Sequence, residues 1–189
     1  MRIQPLSPDQ LNPDVRYVHD EIASLVGRSQ SQVKMTDDNG ALLGPFIPML
    51  QYPQFGIQAL SFLRTLDTHA TLPKTAREVA ILTVGGFYGA AFELYAHHIM
   101  AAAFGIPANI IATLAAGGHP QGLNEQEAVV HDIAYALVSG HIVPDATYKH
   151  AVLLLGKDAV AELFFLIGGY CLIAIILNGF DIPAPASYV

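Results

Sequence analysis

Phe92-Glu93-Leu94-Tyr95-Ala96-His97-His98-Ile99-Met100-Ala101-Ala102-Ala103-Phe104-Gly105 is the stretch that decides the fold. It lacks strand-like alternation, is rich in alanine and runs into a glycine, so it predicts a helix that stops at Gly105. Glu93 and His97 stand four residues apart, which places a carboxylate and an imidazole on one helical face, one turn apart. The apolar run that follows turns that face inward. A carboxylate and a histidine in one apolar cleft form a proton-transfer unit, because each moves the other's pKa toward neutrality. The plainer reading of the same spacing is a solvated helix pair contributing about 0.2–0.5 kcal/mol.

Outward from this stretch the chain reads as helices punctuated by proline and glycine. Upstream, a helix opens at Pro73, runs through Arg77-Glu78-Val79-Ala80-Ile81-Leu82-Thr83-Val84 and loosens at Gly85-Gly86. Before it, Pro53 to Thr68 fits a helix. Another runs from Asn12-Pro13 to Gly27, with an apolar stripe of Val15, Val18, Ile22, Leu25 and Val26. Residues 28–52 read as irregular: Asp37-Asp38-Asn39-Gly40 is turn chemistry, and Gly44-Pro45-Phe46 with Pro48 breaks any helix. Downstream, Pro107 opens a short helix ending at Gly117-Gly118. Asn124 and Glu127 form a capping box for the next, which ends near Gly140. The last two span Asp145 to Leu155 and Lys157 to Leu177, closed by Asn178-Gly179. The expectation is an all-α bundle of about eight helices in a single domain over residues 1–189, with residues 1–70 as an N-terminal helical extension on a core of residues 71–180.

Composition narrows the function classes. The 189 residues are 52% hydrophobic and only 13% charged, against about 25% charged in ordinary soluble domains. So little polar surface implies either a membrane span or a buried subunit contact. The longest apolar run, Leu163 to Leu177, falls short of the roughly 20 residues a bilayer core requires and follows Lys157, Asp158 and Glu162. It therefore reads as a core or interface helix, with no membrane partner, and a homo-oligomer is expected. The formal charge of -7 argues against nucleic acid held on a basic surface. The start, Met1-Arg2-Ile3-Gln4-Pro5, lacks the apolar region of a secretion signal, so a cytoplasmic location is expected. Cys171 is the sole cysteine, which rules out a disulfide within one chain; it reads as a small core residue, and a redox role for it is the weaker alternative.

Taken together, Leu72-Pro73, Arg77 to Leu82, Glu93-Leu94-Tyr95-Ala96-His97, and Ala101 to Gly105 with Ile106-Pro107 resemble the carboxymuconolactone decarboxylase family, within the alkyl hydroperoxidase D-like superfamily. The pattern is an Arg-Glu opening one helix, a Glu-x-x-x-His in the next and an Ala-rich tail ending in glycine. Gly44-Pro45-Phe46 also resembles longer members, and the likeness covers about residues 40–135. The resemblance implies a cofactor-independent all-α enzyme built from trimers or hexamers. Two departures matter. The superfamily's hydroperoxidases carry Cys-x-x-Cys before the histidine, where this chain has Ala90 and Glu93, so thiol peroxidase chemistry is not expected. The Tyr-x-Gly-x-Pro-Ala ending of the small lactone decarboxylases is missing too.

The candidate catalytic residues are His97 as general acid/base, Glu93 to orient its imidazole, and Glu78, which the resemblance aligns with the superfamily's proton-relay glutamate. Arg77 either binds a substrate carboxylate by a bidentate pair or is ion-paired to a nearby acid. Tyr88 and Tyr95 are candidate donors to a substrate oxygen, or core aromatics. His98 points about 100° from His97 and reads as a packing or interface residue. A metal would need a third ligand beyond Glu93 and His97, with His131 the candidate; no spacing supports it, so neither metal nor cofactor is expected. The reading is a lyase acting on a small cyclic carboxylic acid or lactone through an enolate, as in aromatic-compound catabolism. An isomerase or hydratase on the same residues, and a non-catalytic binding or scaffold protein, are the alternatives.

Overall fold

A computed structural model of the chain describes residues 1–28 and 32–185, with side chains given outside 26–28. Nine α-helices and no strand occur among the described residues: α1 (Pro13–Arg28), α2 (Phe46–Gln51), α3 (Pro53–Thr68), α4 (Lys74–Tyr88), α5 (Ala91–Ala103), α6 (Ala108–Ala115), α7 (Glu125–Val138), α8 (Asp145–Leu155) and α9 (Lys157–Phe180). The all-α expectation stands, and the helix beyond the expected eight is α2. It forms across Pro48 because that residue falls in the first turn, where the helix requires no amide hydrogen.

α4 is the central element. Val79, Ala80, Leu82 and Val84 are fully buried, and the helix packs against α5, α6, α7 and α9. A helix apolar all round has to be enclosed in this way. It does not loosen at Gly85-Gly86, as the glycines suggested, but continues to Tyr88 and ends at left-handed Gly89 (φ 61°). The glycine at 86 serves contact instead: a methyl group there would collide with the Leu114 carbonyl oxygen, so its absence lets α6 close on α4.

α9 likewise outruns its expected end. It passes Asn178-Gly179 and stops at Asp181, whose φ is 54°. By length and composition α9 is sufficient to cross a membrane. Here Leu163, Leu166, Ile173, Ala174 and Leu177 are buried against neighbouring helices, while Phe165, Leu172 and Ile175 face outward.

The N-terminal segment has a small core of its own, Leu11, Val15, Val18, Ile22, Leu42 and Leu50. Leu25 is not part of the expected stripe: it is exposed, and the side chain of Val26 lies outside the described residues. Asp37 closes the turn before Ala41 by accepting from the Asn39 and Ala41 amides at 2.8 and 2.9 Å. Gly44, at φ 64°, leaves the space that the Phe92 ring of α5 occupies, which docks this segment over the start of α5.

Candidate active site

Two neighbouring helices carry most of the candidate site residues. Arg77 and Glu78 lie near the start of α4, and Glu93 lies in the first turn of α5 with His97 one turn on. Ala90 and Gly89 make the link so short that the two helices pack closely and their inward faces meet.

His97 is buried, and its Nδ1 stands 2.8 Å from Glu78 Oε2, which is also buried. An ionised carboxylate only accepts, so in the neutral imidazole the Nδ1 hydrogen is donated to Glu78 and Nε2 is left as the basic nitrogen. The expectation that Glu93 orients the imidazole is thereby corrected. Glu78, nineteen residues away in sequence, holds that place.

Glu93 does something else. Both its carboxyl oxygens are buried without a hydrogen-bond partner among the described residues. Loss of solvation pushes its carboxyl well above the ordinary range, because an isolated carboxylate in an apolar wall takes up a proton rather than stay charged. Burial thus favours the neutral carboxylic acid form of Glu93, the form with an O–H to donate. Gly85 makes room for it: a methyl there would stand 3.2 Å from Oε1.

These groups border a cavity of about 190 Å³, walled by Met35, Phe46, Leu63, Leu66, Phe92, Ile173 and Leu177 and carrying Asp67, Arg77, Glu93, His97 and Tyr170. A dry protein cavity of about 150 Å³ admits benzene, so this one suits a single ring with small substituents. A larger groove of about 630 Å³ between α3 and α9 is lined by Phe55, Phe62, Leu172, Ile176 and Phe180 and carries no carboxylate, imidazole or thiol. Of these two, only the smaller hollow brings carboxylates and an imidazole together.

Arg77 lines the cavity while its charge is already matched. Its Nη1 donates to Glu162 Oε1 at 2.8 Å and to the Leu66 carbonyl at 3.2 Å, and Nη2 lies 3.9 Å from Asp67. The ion-pair reading of Arg77 describes what is observed. Glu162 also accepts from the Thr71 amide, the Thr71 hydroxyl and the Leu72 amide at 2.7, 2.6 and 3.0 Å. Burial alone would push its carboxyl up, but these donors together with Arg77 hold it below the ordinary range.

The two candidate tyrosines are not brought to the cavity. Tyr95 is buried edge-on against Phe92, and its hydroxyl accepts from the Lys34 amide at 2.7 Å. Tyr88 sits beside Cys171, with its phenol raised first by burial and then by that thiol. Cys171 is half-buried outside the cavity, its thiol also pushed up by burial. His131 is not a third ligand to Glu93 and His97: it is buried on α7 against His119 and Tyr135. Among the described residues no group of three His, Cys, Asp or Glu side chains is placed to hold a metal.

Besides Asp67 on α3, the polar cavity residue that the sequence left unassigned is Tyr170 on α9. Its ring meets the His97 ring edge-on, with centroids 5.0 Å apart. The one available signal was a phenol inside an otherwise apolar run.

The bundle of helices around α4 is the alkylhydroperoxidase AhpD core fold. One structure it resembles is that of an uncharacterized peroxidase-related protein from Ralstonia eutropha JMP134, with a TM-score of 0.78 over 99% of this chain and 93% of that one, at 13% identity. No protein-family model matches the chain, and no curated protein does. The likeness carries the fold; the chemistry rests on the cavity's own side chains.

Proposed function

We propose that the protein is a cofactor-independent acid–base enzyme, a decarboxylase-like lyase acting on a small cyclic carboxylic acid or lactone through an enolate. The observation that supports it best is the buried carboxyl of Glu93, without a partner, bordering the same cavity as a histidine already oriented by Glu78. A buried acid left without a hydrogen bond costs stability, and such costs persist where a ligand uses the group.

The chemistry follows from those positions. When the substrate loses carbon dioxide, the breaking C–C bond leaves its electron pair in the adjoining carbonyl, whose oxygen becomes an enolate oxygen. Glu93 donates a hydrogen bond to that oxygen, so charge develops against a preorganised donor. His97, whose Nε2 takes a proton from solvent while Nδ1 stays hydrogen-bonded to Glu78, delivers that proton to carbon as carbon dioxide leaves. Isomerisation uses the same groups, with His97 first removing a proton from carbon. The substrate's own carbonyl is the electron sink. A dithiol route to peroxide reduction is not available to a chain with one cysteine.

The test is His97→Ala against a set of β-keto acids and unsaturated lactones, read as carbon dioxide release and as deuterium uptake from heavy water. A loss of about 10²-fold or more is expected, the usual contribution of a positioned acid/base. Undiminished turnover in a folded variant overturns the reading and leaves a binding protein.

A further inference from the structure

We propose that the Tyr170 phenol is a catalytic residue that joins the Glu93 carboxylic acid in a two-donor site for one substrate oxygen, which assigns the substrate to the enolisable carbonyl compounds. The inference rests on the proposed acid–base reading and adds a residue and a substrate class to it.

The argument starts from the hydroxyl of Tyr170. A phenol inside a protein nearly always finds a hydrogen-bond partner, because leaving it bare forfeits what water gave it. Tyr88 and Tyr95 both conform, through Cys171 and the Lys34 amide. Tyr170 makes ring contact with His97 and lines the cavity, yet its hydroxyl bonds to no protein group among the described residues. The residue is only half-buried although it stands on the inward side of α9 with Ile173 and Leu177, so the surface it keeps faces the hollow. Its phenol is raised by loss of solvation first, then by the acids Glu78 and Glu93, which keeps it a donor rather than a phenolate.

Two such groups, one an acid without a partner and one a phenol without a partner, border the same small cavity beside the base. Each can donate, and neither has a hydrogen-bond partner among the described residues. A cation gains nothing from that pair, whereas an oxygen that accumulates negative charge gains from each donor as the charge develops. A phenol paired with a protonated carboxylic acid in an apolar site is a recognised means of holding an enolate oxygen. The pair thus explains why α9, otherwise apolar from Leu163 to Leu177, carries a phenol at that position.

The probe is para-nitrophenol, a single ring whose ionised oxygen mimics an enolate and whose colour reports ionisation. It is titrated into the wild-type chain, Tyr170→Phe and Glu93→Met across neutral pH, with thermal unfolding followed in parallel. Binding of the ionised form to the wild type is expected, weakened about tenfold or more by each substitution, as fits loss of a hydrogen bond to a charged oxygen. Tyr170→Phe removes no hydrogen bond within the protein and leaves the unfolding temperature unchanged. Equal affinity in folded Tyr170→Phe, or no binding to the wild type, overturns the proposal. The two readings fail separately. If Tyr170→Phe binds like the wild type while His97→Ala abolishes turnover, the donor pair falls and acid–base catalysis stands. If probe binding needs both donors while His97→Ala turns over normally, the reverse holds.

Discussion

Glu93 shows how one side chain sets stability against use. Its carboxyl is buried and without a hydrogen-bond partner among the described residues, a condition that costs about 1–3 kcal/mol. An apolar side chain of the same unbranched shape removes that cost, so Glu93→Met is expected to raise stability by about 1–3 kcal/mol in a denaturant titration while lowering activity. The pH dependence has a definite sign. Because the folded-state pKa lies well above the unfolded one, the native state binds more protons between those values, and stability falls as pH rises through that window. The stability present below about pH 4.5, the ordinary carboxyl range, is lost as pH climbs to the group's own raised value, and Glu93→Met is expected to abolish this dependence. A variant that is less stable at neutral pH, with the pH slope intact, refutes the assignment. The sequence made Glu93 and His97 neighbours, as their spacing requires. It could not say which acid meets Nδ1, because that depends on how α4 lies across α5. Tyr170 was hidden for a related reason: a phenol in an apolar run reads as core until the hollow beside it is known.

At the scale of elements, Glu162 ties the first turns of α9 to the segment entering α4. It collects four donors from Thr71, Leu72 and Arg77, so one carboxylate fixes both the loop before α4 and the guanidinium at the cavity wall. Glu162→Ala removes the close ion pair of Arg77, leaving it the Leu66 carbonyl and the more distant Asp67, and strips two amides of their acceptor; it is expected to cost about 3–5 kcal/mol, with a smaller loss for Glu162→Gln, which retains an acceptor. The sign opposes that of Glu93. A carboxyl held below its unfolded value stabilises above about pH 4.5 and loses that contribution as pH falls through the folded value. Acid unfolding of Glu162→Gln should therefore be shallower than that of the wild type; an identical acid limb counts against the clamp. Gly86 gives a second element-scale prediction. Gly86→Ala drives α4 from the Leu114 carbonyl and is expected to cost about 1–3 kcal/mol by overpacking, although alanine favours a helix. This is also where sequence reasoning went astray. Glycines at 85 and 86 read as a helix end from local propensity alone, whereas contact with α6 and room for Glu93 are non-local reasons. By contrast, the Asn124–Glu127 capping box was legible because both partners lie within one turn, and the structure forms it in both directions at 2.9 and 3.1 Å.

For the whole molecule the governing fact is scarcity of charge. At 13% charged residues the chain leaves apolar side chains outward, and several gather along α3 and α9: Phe55, Phe165, Leu172 and Ile175. Phe62 and Phe165 meet edge-on there, 6.5 Å between centroids, beside the larger groove. We propose that this face seats a second copy of the chain, as the composition led one to expect. The proposal bears on function because α9 is shared: Leu172 and Ile176 face the groove, while Tyr170, Ile173 and Leu177 on the same turns line the cavity. A partner covering the outer side would hold the phenol in register. Light scattering is expected to give a multiple of the chain mass, with an unfolding temperature that rises with protein concentration. Leu172→Glu combined with Ile175→Lys places charges in an apolar contact, which is expected to weaken association by at least about 10²-fold. Activity should fall with dissociation even though neither residue lines the cavity. A wild-type chain that stays monomeric at micromolar concentration, or that partitions onto neutral lipid vesicles through α9, overturns self-association and points to a lipid-facing role for that helix.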